Sequence, residues 1–415
     1  MKTTLLLVFN WLDIGGVGSL VLHLVSLLDP NEFDIHLLIC DATKSDLQME
    51  KKFSRRGACI HKFSSSEPSA RWEQMKLVKK ISPDLILTND FSSNVLAYIF
   101  SKISRASIVR IYHCSVLLEF APIIKLLALK KIRRLIPFLR LFLPRNLRKN
   151  ICNDTKIRQA FPSILRMQYF EGLLAIERMI TRKSALVCVS HALKSELSSY
   201  QPYGRLTVIH NSIPNRFMSE GPRANNTGSH LITVCRLDTE KNVDLLLRVF
   251  SLLTDKYKDI RLTIVGDGPL MRTLIKLSFQ LKIEKKVDFL GNRYDVDKIL
   301  HDADIFVSCS SSEAFGLSLL EAMAAGLPVV AGDTGGISEI VRHNFNGYLF
   351  KKYEPEHIAF YIKRLLDDRM MRLHMGECGR ETAYKTFSSQ HMLEAYYRVF
   401  QKTVKKSREG ANEKL

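Results

Sequence analysis

The stretches Ala303-Asp-Ile-Phe-Val-Ser308 and Glu313-Ala-Phe-Gly-Leu-Ser-Leu-Leu-Glu321 decide the fold prediction for this chain. The first is predicted to be a buried strand, and the run from Leu317 to Ala325 a helix that Gly326 and Pro328 stop. The turn between them presents unpaired backbone N–H groups and a partial positive charge at the helix N-terminus. This helix end therefore suits a phosphate or a diphosphate.

Glu313 and Glu321 are the two carboxylates that bracket this turn. Eight helical steps would separate two residues by roughly 12 Å along the axis, whereas the carboxylates of a glycoside hydrolase lie about 5 to 9.5 Å apart. We interpret each glutamate as a hydrogen-bond acceptor for a different sugar of one extended ligand. The alternative is that both are ordinary solvent-facing helix residues.

Arg236 and Lys241 form a second candidate anion site. Arg236 ends the predicted strand Leu231-Ile-Thr-Val-Cys-Arg236, and a helix begins after Lys241. In an open α/β sheet the carboxyl ends of the strands face the ligand crevice, and arginine and lysine both bind phosphate. The alternative is a surface arginine that pairs with Asp238 and Glu240.

Together these motifs resemble the retaining glycosyltransferases of family 4, and the similarity covers most of the chain. Further matching segments are Gly15-Gly16-Val17, His113, Ser190, Ile209-His-Asn-Ser-Ile213, Val265-Gly-Asp-Gly-Pro269, Phe289-Leu-Gly291, Gly335-Gly336 with Glu339, and Asn346-Gly-Tyr-Leu349. The resemblance implies the two-domain GT-B architecture: an α/β protein with two doubly wound Rossmann-like domains that face a central cleft.

The resemblance also implies roles for particular residues. The expected catalytic residues are Glu313, His113, Arg236 and Lys241, and the expected substrate-binding residues are Gly16, Val17, Arg236, Lys241, Phe315, Gly316, Leu317 and Glu321. Arg236 and Lys241 are expected on the donor diphosphate, Glu321 on the ribose, and Glu313 and His113 on the transferred sugar. No cofactor and no metal are expected, because the sequence has no histidine pair with the metal-ligand spacing His-Glu-x-x-His.

Three positions depart from the family pattern. Cys235 and Asn242 stand where glycine is usual, before the arginine and after the lysine. Ser212 stands where an Asn-Gly pair commonly marks the crossing between domains. We expect all three to be tolerated, because none removes a charge that the donor needs.

The expected domain boundaries follow the alternation of strands and helices. They are an acceptor-binding domain over 1–212 with a basic, apolar insertion at about 114–183, an inter-domain loop region over 213–230, a nucleotide-sugar domain over 231–388, and a C-terminal helix and polar tail over 389–415. The return of this last helix to the first domain is an expectation that comes from the family resemblance alone. The opening residues Met1 to Phe9 are interpreted as the first strand rather than as a signal peptide, because a small-residue cleavage site is missing.

Charge is concentrated in the insertion. The chain carries a formal net charge of +19, and residues 102–183 alone hold 18 Lys or Arg against four acidic residues. Segment 121–149 mixes these cations with large apolar side chains, which favours binding to an anionic membrane surface from the cytoplasm. A solvated lid or a protein-docking helix is the alternative, since Pro122, Pro137 and Pro144 interrupt the segment.

The expected partners are a nucleotide-sugar, by family frequency a UDP-sugar, and a lipid-linked or other glycan acceptor. Nucleic acid is not expected, because few aromatic residues interleave the basic patch. The eight scattered cysteines are typical of buried thiols in a reducing compartment. Two alternatives remain at this stage: a nucleotide-sugar epimerase of related architecture and a catalytically silent membrane-associated protein.

Overall fold

The protein is described here by a computed structural model that covers residues 2–12, 15–64, 67, 69–114, 164–182, 184–200, 206–217 and 229–412. The basic segment 121–149 lies outside the described residues. The chain forms two compact units: residues 1–13, 24–209 and 393–415 make the first, and residues 14–23 and 210–392 make the second. The second unit thus includes residues 14–23, which the boundaries above place in the first domain.

The first unit is built on a parallel sheet of strand order β3-β2-β1-β4-β5-β6-β7. Its strands are β1 (Thr3–Phe9), β2 (Phe33–Ile39), β3 (Cys59–Lys62), β4 (Leu85–Thr88), β5 (Ser107–Tyr112), β6 (Ala185–Cys188) and β7 (Leu206–Val208). Strand β1 pairs in parallel with β2 from Thr3 opposite Phe33 to Phe9 opposite Ile39. Helices cover both faces of such a sheet, so its central strands are continuous apolar runs.

The helices between these strands follow the chain in order. They are α1 (Gly16–Leu27), α2 (Leu47–Arg55), α3 (Ala70–Ile81), α4 (Phe91–Ser104), α5 (Ile164–Thr181) and α6 (His191–Tyr200). Asp90 starts α4 through a capping box, because its carboxylate accepts the backbone N–H of Ser93 at 2.9 Å. Leu6, Val8, Leu38, Ile86 and Phe100 belong to the buried core between the sheet and these helices.

The second unit repeats the design with the strand order β10-β9-β8-β11-β12-β13. Its strands are β8 (His230–Val234), β9 (Arg261–Val265), β10 (Val287–Gly291), β11 (Ile305–Ser308), β12 (Val329–Gly332) and β13 (Gly347–Phe350). Its helices are α7 (Val243–Ser251), α8 (Met271–Gln280), α9 (Val296–Asp302), α10 (Leu317–Ala324), α11 (Ile337–Ile340), α12 (Pro355–Asp367) and α13 (Arg369–Thr386).

The last helix, α14 (Ser389–Asn412), carries the chain from the second unit into the first. The Tyr397 and Phe400 rings meet the edge of the Phe33 ring, with centroids 5.4 and 6.1 Å away. The Ser107 hydroxyl donates to the carbonyl oxygen of Thr403 at 3.4 Å. Helix α14 therefore completes the core of a sheet whose first strand begins at residue 3. Among the described residues, no helix is long and apolar enough to cross a bilayer.

Candidate active site

The loop from β11 to α10 is the centre of the candidate site in the second unit. Gly316 caps α10 with a φ of +95°, a left-handed conformation that suits glycine, and Leu317 begins the helix. The loop backbone is held from three sides. Asn242 Nδ2 donates to the Cys309 carbonyl at 3.1 Å, the Tyr353 hydroxyl donates to the Ser310 carbonyl at 2.7 Å, and the Gly336 N–H donates to the Glu313 carbonyl at 3.0 Å.

Glu313 and Lys241 form an ion pair between two neighbouring strand ends. Strand β8 precedes Lys241 and strand β11 precedes Glu313, and the two strands pair in parallel. Lys241 Nζ donates to Glu313 Oε1, and the Ser310 hydroxyl donates to the same oxygen at 3.3 Å. The two charged side chains are only 16% and 20% exposed. A lysine has three donors, so Lys241 keeps hydrogen-bonding capacity beyond Glu313.

Arg236 faces a different set of carboxylates. Its guanidinium contacts Asp238, and its Nη2 lies 3.1 Å from Glu240 Oε1. The side chain is 68% exposed, and such exposed pairs contribute only about 0.2–1 kcal/mol. The structure therefore places Arg236 and Lys241 on different carboxylates, and moving Arg236 onto a stronger anion costs little.

Glu321 lies on the second turn of α10 and is half-buried. Burial raises the pKa of the Glu321 carboxyl to about 8, the Arg216 guanidinium partly offsets this, and Asp297 adds to it. The carboxyl is therefore largely protonated at neutral pH, when it both donates and accepts hydrogen bonds.

Phe315 contributes packing rather than an exposed surface. It is 3% exposed, and its ring stacks on His210 and meets the edge of Phe387, with centroids 5.8 and 5.6 Å away. His210 Nε2 in turn lies 2.9 Å from Glu339 Oε2. Phe315, predicted above as a substrate-binding residue, thus has only its backbone for contact with a ligand.

Gly16 and Val17 begin helix α1, which opens within the second unit. Gly16 is exposed and Val17 is half-buried. A Cβ placed on Gly16 would lie 3.8 Å from Leu317 Cδ2. The α1 N-terminus thus lies close to the residue that begins α10, with ordinary contact room for a Cβ at this position.

His113 follows strand β5 of the first unit. Its Nε2 lies 3.3 Å from Asn89 Oδ1, which accepts the ring N–H. Burial lowers the pKa of the imidazole to about 3, and the Arg110 charge adds to this shift. His113 is therefore neutral at physiological pH and serves as a hydrogen-bonding group rather than as a charge.

A buried ionic network supports this strand end, and sequence analysis did not find it. Arg110 and Glu177 are 0% and 1% exposed, with Arg110 Nε 3.4 Å from Glu177 Oε1. The Tyr112 hydroxyl and Asn94 Nδ2 donate to Glu177 at 2.8 and 3.1 Å. A charged residue inside the apolar strand Ile108-Val-Arg-Ile-Tyr was the available signal, because a buried charge requires a partner.

Two family models match consecutive parts of the chain. Residues 14–216 match the Glycosyltransferase Family 4 model, and residues 215–382 match the Glycosyl transferases group 1 model. The chain belongs to the group 1, family 4 glycosyltransferases. This confirms the family that its motifs resemble.

Two bacterial enzymes are similar to parts of the sequence. The N-acetyl-alpha-D-glucosaminyl L-malate synthase of Bacillus anthracis is 29% identical over 240 residues, which are 56% of this chain and 63% of that enzyme. The poly(ribitol-phosphate) alpha-N-acetylglucosaminyltransferase of Staphylococcus aureus is 30% identical over 168 residues, which are 40% of this chain and 34% of that enzyme. The chain thus spans less than two thirds of the length of these relatives.

The fold is shared more widely than the sequence. Anabaena HepE, solved in complex with UDP and glucose, matches with a TM-score of 0.73 at 16% identity, over 96% of this chain and 100% of that one. The GT-B fold with two parallel-sheet α/β domains is therefore confirmed.

The three departures from the glycosyltransferase pattern are accommodated. Asn242 adopts φ +47° and ψ 43°, a left-handed conformation that asparagine tolerates better than other side chains. Burial raises the pKa of the Cys235 thiol to about 11, so this residue stays neutral beside Lys241. Ser212 is buried, with its hydroxyl 3.2 Å from His23 Nε2.

Proposed function

We propose that this chain is a retaining glycosyltransferase that moves a sugar from a nucleotide-sugar, by preference a UDP-sugar, to a lipid-linked glycan or other cell-surface saccharide. The observation that carries the proposal is the Lys241–Glu313 pair beside the N-terminus of α10, at the carboxyl ends of β8 and β11. Lys241 supplies a cation, and Glu313 supplies a carboxylate that can accept hydrogen bonds from sugar hydroxyl groups. The N-terminus of α10 adds backbone N–H groups and a partial positive charge. Membership of the family supports the same activity.

The donor diphosphate is assigned to Lys241, Arg236 and the backbone N–H groups of Gly316 and Leu317. Lys241 supplies a charge that Glu313 already holds in position. Arg236, whose own side chain is 68% exposed, leaves the half-buried Asp238 and Glu240 for the diphosphate, because a bidentate phosphate contact is stronger than an ion pair whose arginine is solvated. These groups stabilise the charge that grows on the leaving diphosphate.

The two glutamates and His113 are assigned to hydroxyl groups. Glu313 accepts from the transferred sugar, and Glu321 binds the ribose of the nucleotide. With a pKa of about 8, Glu321 offers the ribose both a donor and an acceptor. His113, neutral and held by Asn89, braces the transferred sugar. Gly16 and Val17 approach the donor through the start of α1.

The transfer step is a front-face substitution with retention of configuration. The bond from the anomeric carbon to the diphosphate oxygen breaks, and a bond from that carbon to the acceptor hydroxyl oxygen forms on the same face. The hydroxyl proton passes to an oxygen of the leaving diphosphate. We propose a metal-independent step, because Arg236, Lys241 and the helix N-terminus provide the stabilising charge.

The acceptor assignment rests on the basic, apolar composition of segment 121–149. Such a segment fits a peripheral position on the cytoplasmic face of the membrane, where about 1 kcal/mol per basic residue favours an anionic surface. The Staphylococcus aureus relative is named for a poly(ribitol-phosphate) acceptor. A transferase with a soluble acceptor and a nucleotide-sugar epimerase of related fold are the alternatives.

A thermal-shift panel with UDP, GDP, ADP and common UDP-sugars tests the donor assignment, since a ligand that binds the folded state raises the melting temperature. We expect a shift with UDP compounds in the wild type and a reduced shift in Glu321→Ala. Glu356→Ala, an exposed substitution on α12, is the control and should keep the full shift. Shifts of equal size in the Glu321 variant would contradict the assigned ribose contact.

Product analysis separates the alternatives. A transferase releases UDP only when an acceptor is present, whereas an epimerase converts the nucleotide-sugar alone. Anionic vesicles carrying a polyprenyl-phosphate acceptor should increase transfer relative to neutral vesicles. Equal activity on both vesicles and on a soluble saccharide would contradict the membrane acceptor.

A further inference from the structure

A cluster of metal-ligating side chains lies at the edge of the first sheet, apart from the candidate active site. Strands β2 and β3 pair in parallel with His36 opposite Cys59 and Leu38 opposite His61. Because side chains alternate along a strand, this register puts His36, Cys59 and His61 on one face of the sheet.

The ligand atoms converge on one point. His36 Nδ1 lies 2.9 Å from His61 Nε2, and the two rings stack with centroids 5.2 Å apart. With Cys59 Sγ, these nitrogens form a group in which all three atoms lie within 4.8 Å of one another. Cys59 is exposed and forms no disulfide.

Asp34 orients the His36 ring through the nitrogen that does not face His61. Its Oδ2 lies 3.3 Å from His36 Nε2, the ring nitrogen that points away from His61. When Nε2–H donates to this carboxylate, the lone pair of Nδ1 is directed at the cluster. A carboxylate behind a ligating histidine is the usual support of a metal site, because it fixes the tautomer and raises the basicity of the ligand.

We propose that His36, Cys59 and His61 bind a thiophilic divalent metal ion, Zn²⁺ by preference, and that Asp34 supports His36. Two imidazoles and one thiolate are ligands that zinc accepts, with about 2.0–2.1 Å to nitrogen and 2.3 Å to sulfur, and a water molecule completes four-coordination. Binding releases the Cys59 proton, because the thiolate is the ligand form.

Metal binding at this site would stabilise the edge of the first sheet. Strand β3 is four residues long, ends the sheet, and pairs with β2. A metal bound by both strands cross-links them without a disulfide. Strand β5, which precedes His113, lies three strands from β2, or about 14 Å at the usual strand spacing. At that distance the metal takes no part in the proposed metal-independent transfer.

Metal binding to the untagged full-length protein tests the proposal. After treatment with a chelator, titration with ZnCl₂ should load one ion per chain and raise the melting temperature. Co²⁺ should give the near-ultraviolet absorption of a thiolate-to-cobalt charge transfer. Cys59→Ser should abolish this band and the thermal shift, and its exposed position makes the folded variant easy to obtain.

Two further variants separate the site from adventitious binding. Asp34→Asn should keep the stoichiometry and weaken the affinity by roughly 10- to 100-fold, as loss of a supporting carboxylate does. Cys378→Ser is the control: Cys378 Sγ lies 3.7 Å from His374 Nε2, a Cys–His pair outside any larger ligand group of the described residues. Substoichiometric binding, or a charge-transfer band that survives in Cys59→Ser, would overturn the proposal.

Discussion

At the scale of single residues, the backbone conformation explains how asparagine can replace the usual glycine at position 242. Asn242 occupies the left-handed region between Lys241 and helix α7, and its side chain donates to the Cys309 carbonyl. Glycine, the usual family residue, satisfies the backbone, and asparagine adds a hydrogen bond. The departure therefore preserves the loop that holds Glu313.

Replacing Asn242 by glycine or by alanine should separate these two contributions. Both variants lose the hydrogen bond to Cys309, but a φ of +47° strains alanine and does not strain glycine. We expect Asn242→Ala to be less stable than Asn242→Gly by about 1–2 kcal/mol. Urea unfolding measures the difference. The reverse order, which is normal for a helix interior, would contradict the left-handed conformation.

Glu321→Gln should change the pH dependence of stability. The pKa of Glu321 is raised from 4.5 to about 8 in the folded protein, so the folded state binds the proton more tightly than the unfolded chain. Stability from this group is thus present below about pH 4.5 and is lost as the pH rises through 8. Glutamine does not ionise and avoids this loss.

Thermal unfolding at about pH 5 and about pH 9 measures the effect. We expect Glu321→Gln to be more stable than the wild type at the higher pH and to differ less at the lower pH. The exposed substitution Glu356→Gln should leave the profile unchanged. Parallel profiles for wild type and Glu321→Gln would show that this carboxyl ionises normally.

At the scale of elements, the candidate site depends on how closely two loops approach. A Cβ on Gly335 would lie 1.7 Å from the Glu313 carbonyl oxygen, and Gly335 has a φ of +52°. The neighbouring Gly336 N–H donates to the same oxygen. Glycine is thus required by both space and backbone conformation, and the loop before α11 fixes Glu313 from behind.

Gly335→Ala should therefore lower both stability and transfer activity. Gly291→Ala is the matched control, because Gly291 has a φ of +63° and a Cβ there meets open space within 4 Å. Both variants carry about 1–2 kcal/mol of left-handed strain, but only Gly335→Ala forces the two loops apart. Urea unfolding and initial transfer rates should show the larger loss for Gly335→Ala; equal losses would contradict a role of this approach in placing Glu313.

At the scale of the whole molecule, the C-terminal helix links the last part of the chain to the first sheet. Phe400 is 2% exposed, and its ring packs against Phe33 at the start of β2. The first unit thus depends on residues that follow the entire second unit in sequence. Folding of the first core is complete only when α14 has docked.

Phe400→Ala should destabilise the first unit by about 3–5 kcal/mol, since it leaves a cavity in a packed core. Hydrogen exchange should become faster in strands β1 and β2, while strands of the second unit such as β11 stay protected. Phe360→Ala on α12 is the control, because Phe360 is 55% exposed. Faster exchange restricted to the second unit would contradict the assignment of α14 to the first.

Local sequence patterns predicted much of the architecture. The stretches Met1 to Phe9 and Ala303 to Ser308, both predicted to be strands, form β1 over Thr3–Phe9 and β11 over Ile305–Ser308. The sheets and the family could be predicted because apolar runs and turn residues indicate which segments are buried and which backbone conformations they adopt. The roles of Arg236, Lys241, Glu313 and Glu321 remain predictions that the proposed experiments test.

By itself, the sequence determined the fold class, the family and the set of candidate donor-binding residues, because strand runs and turn motifs are local properties of the chain. Tertiary structure alone decided that Lys241 meets Glu313, that Glu177 neutralises the buried Arg110, and that His36 stands beside Cys59 and His61. These pairs depend on strand order and register, and a shift of one residue would turn each strand side chain to the opposite face.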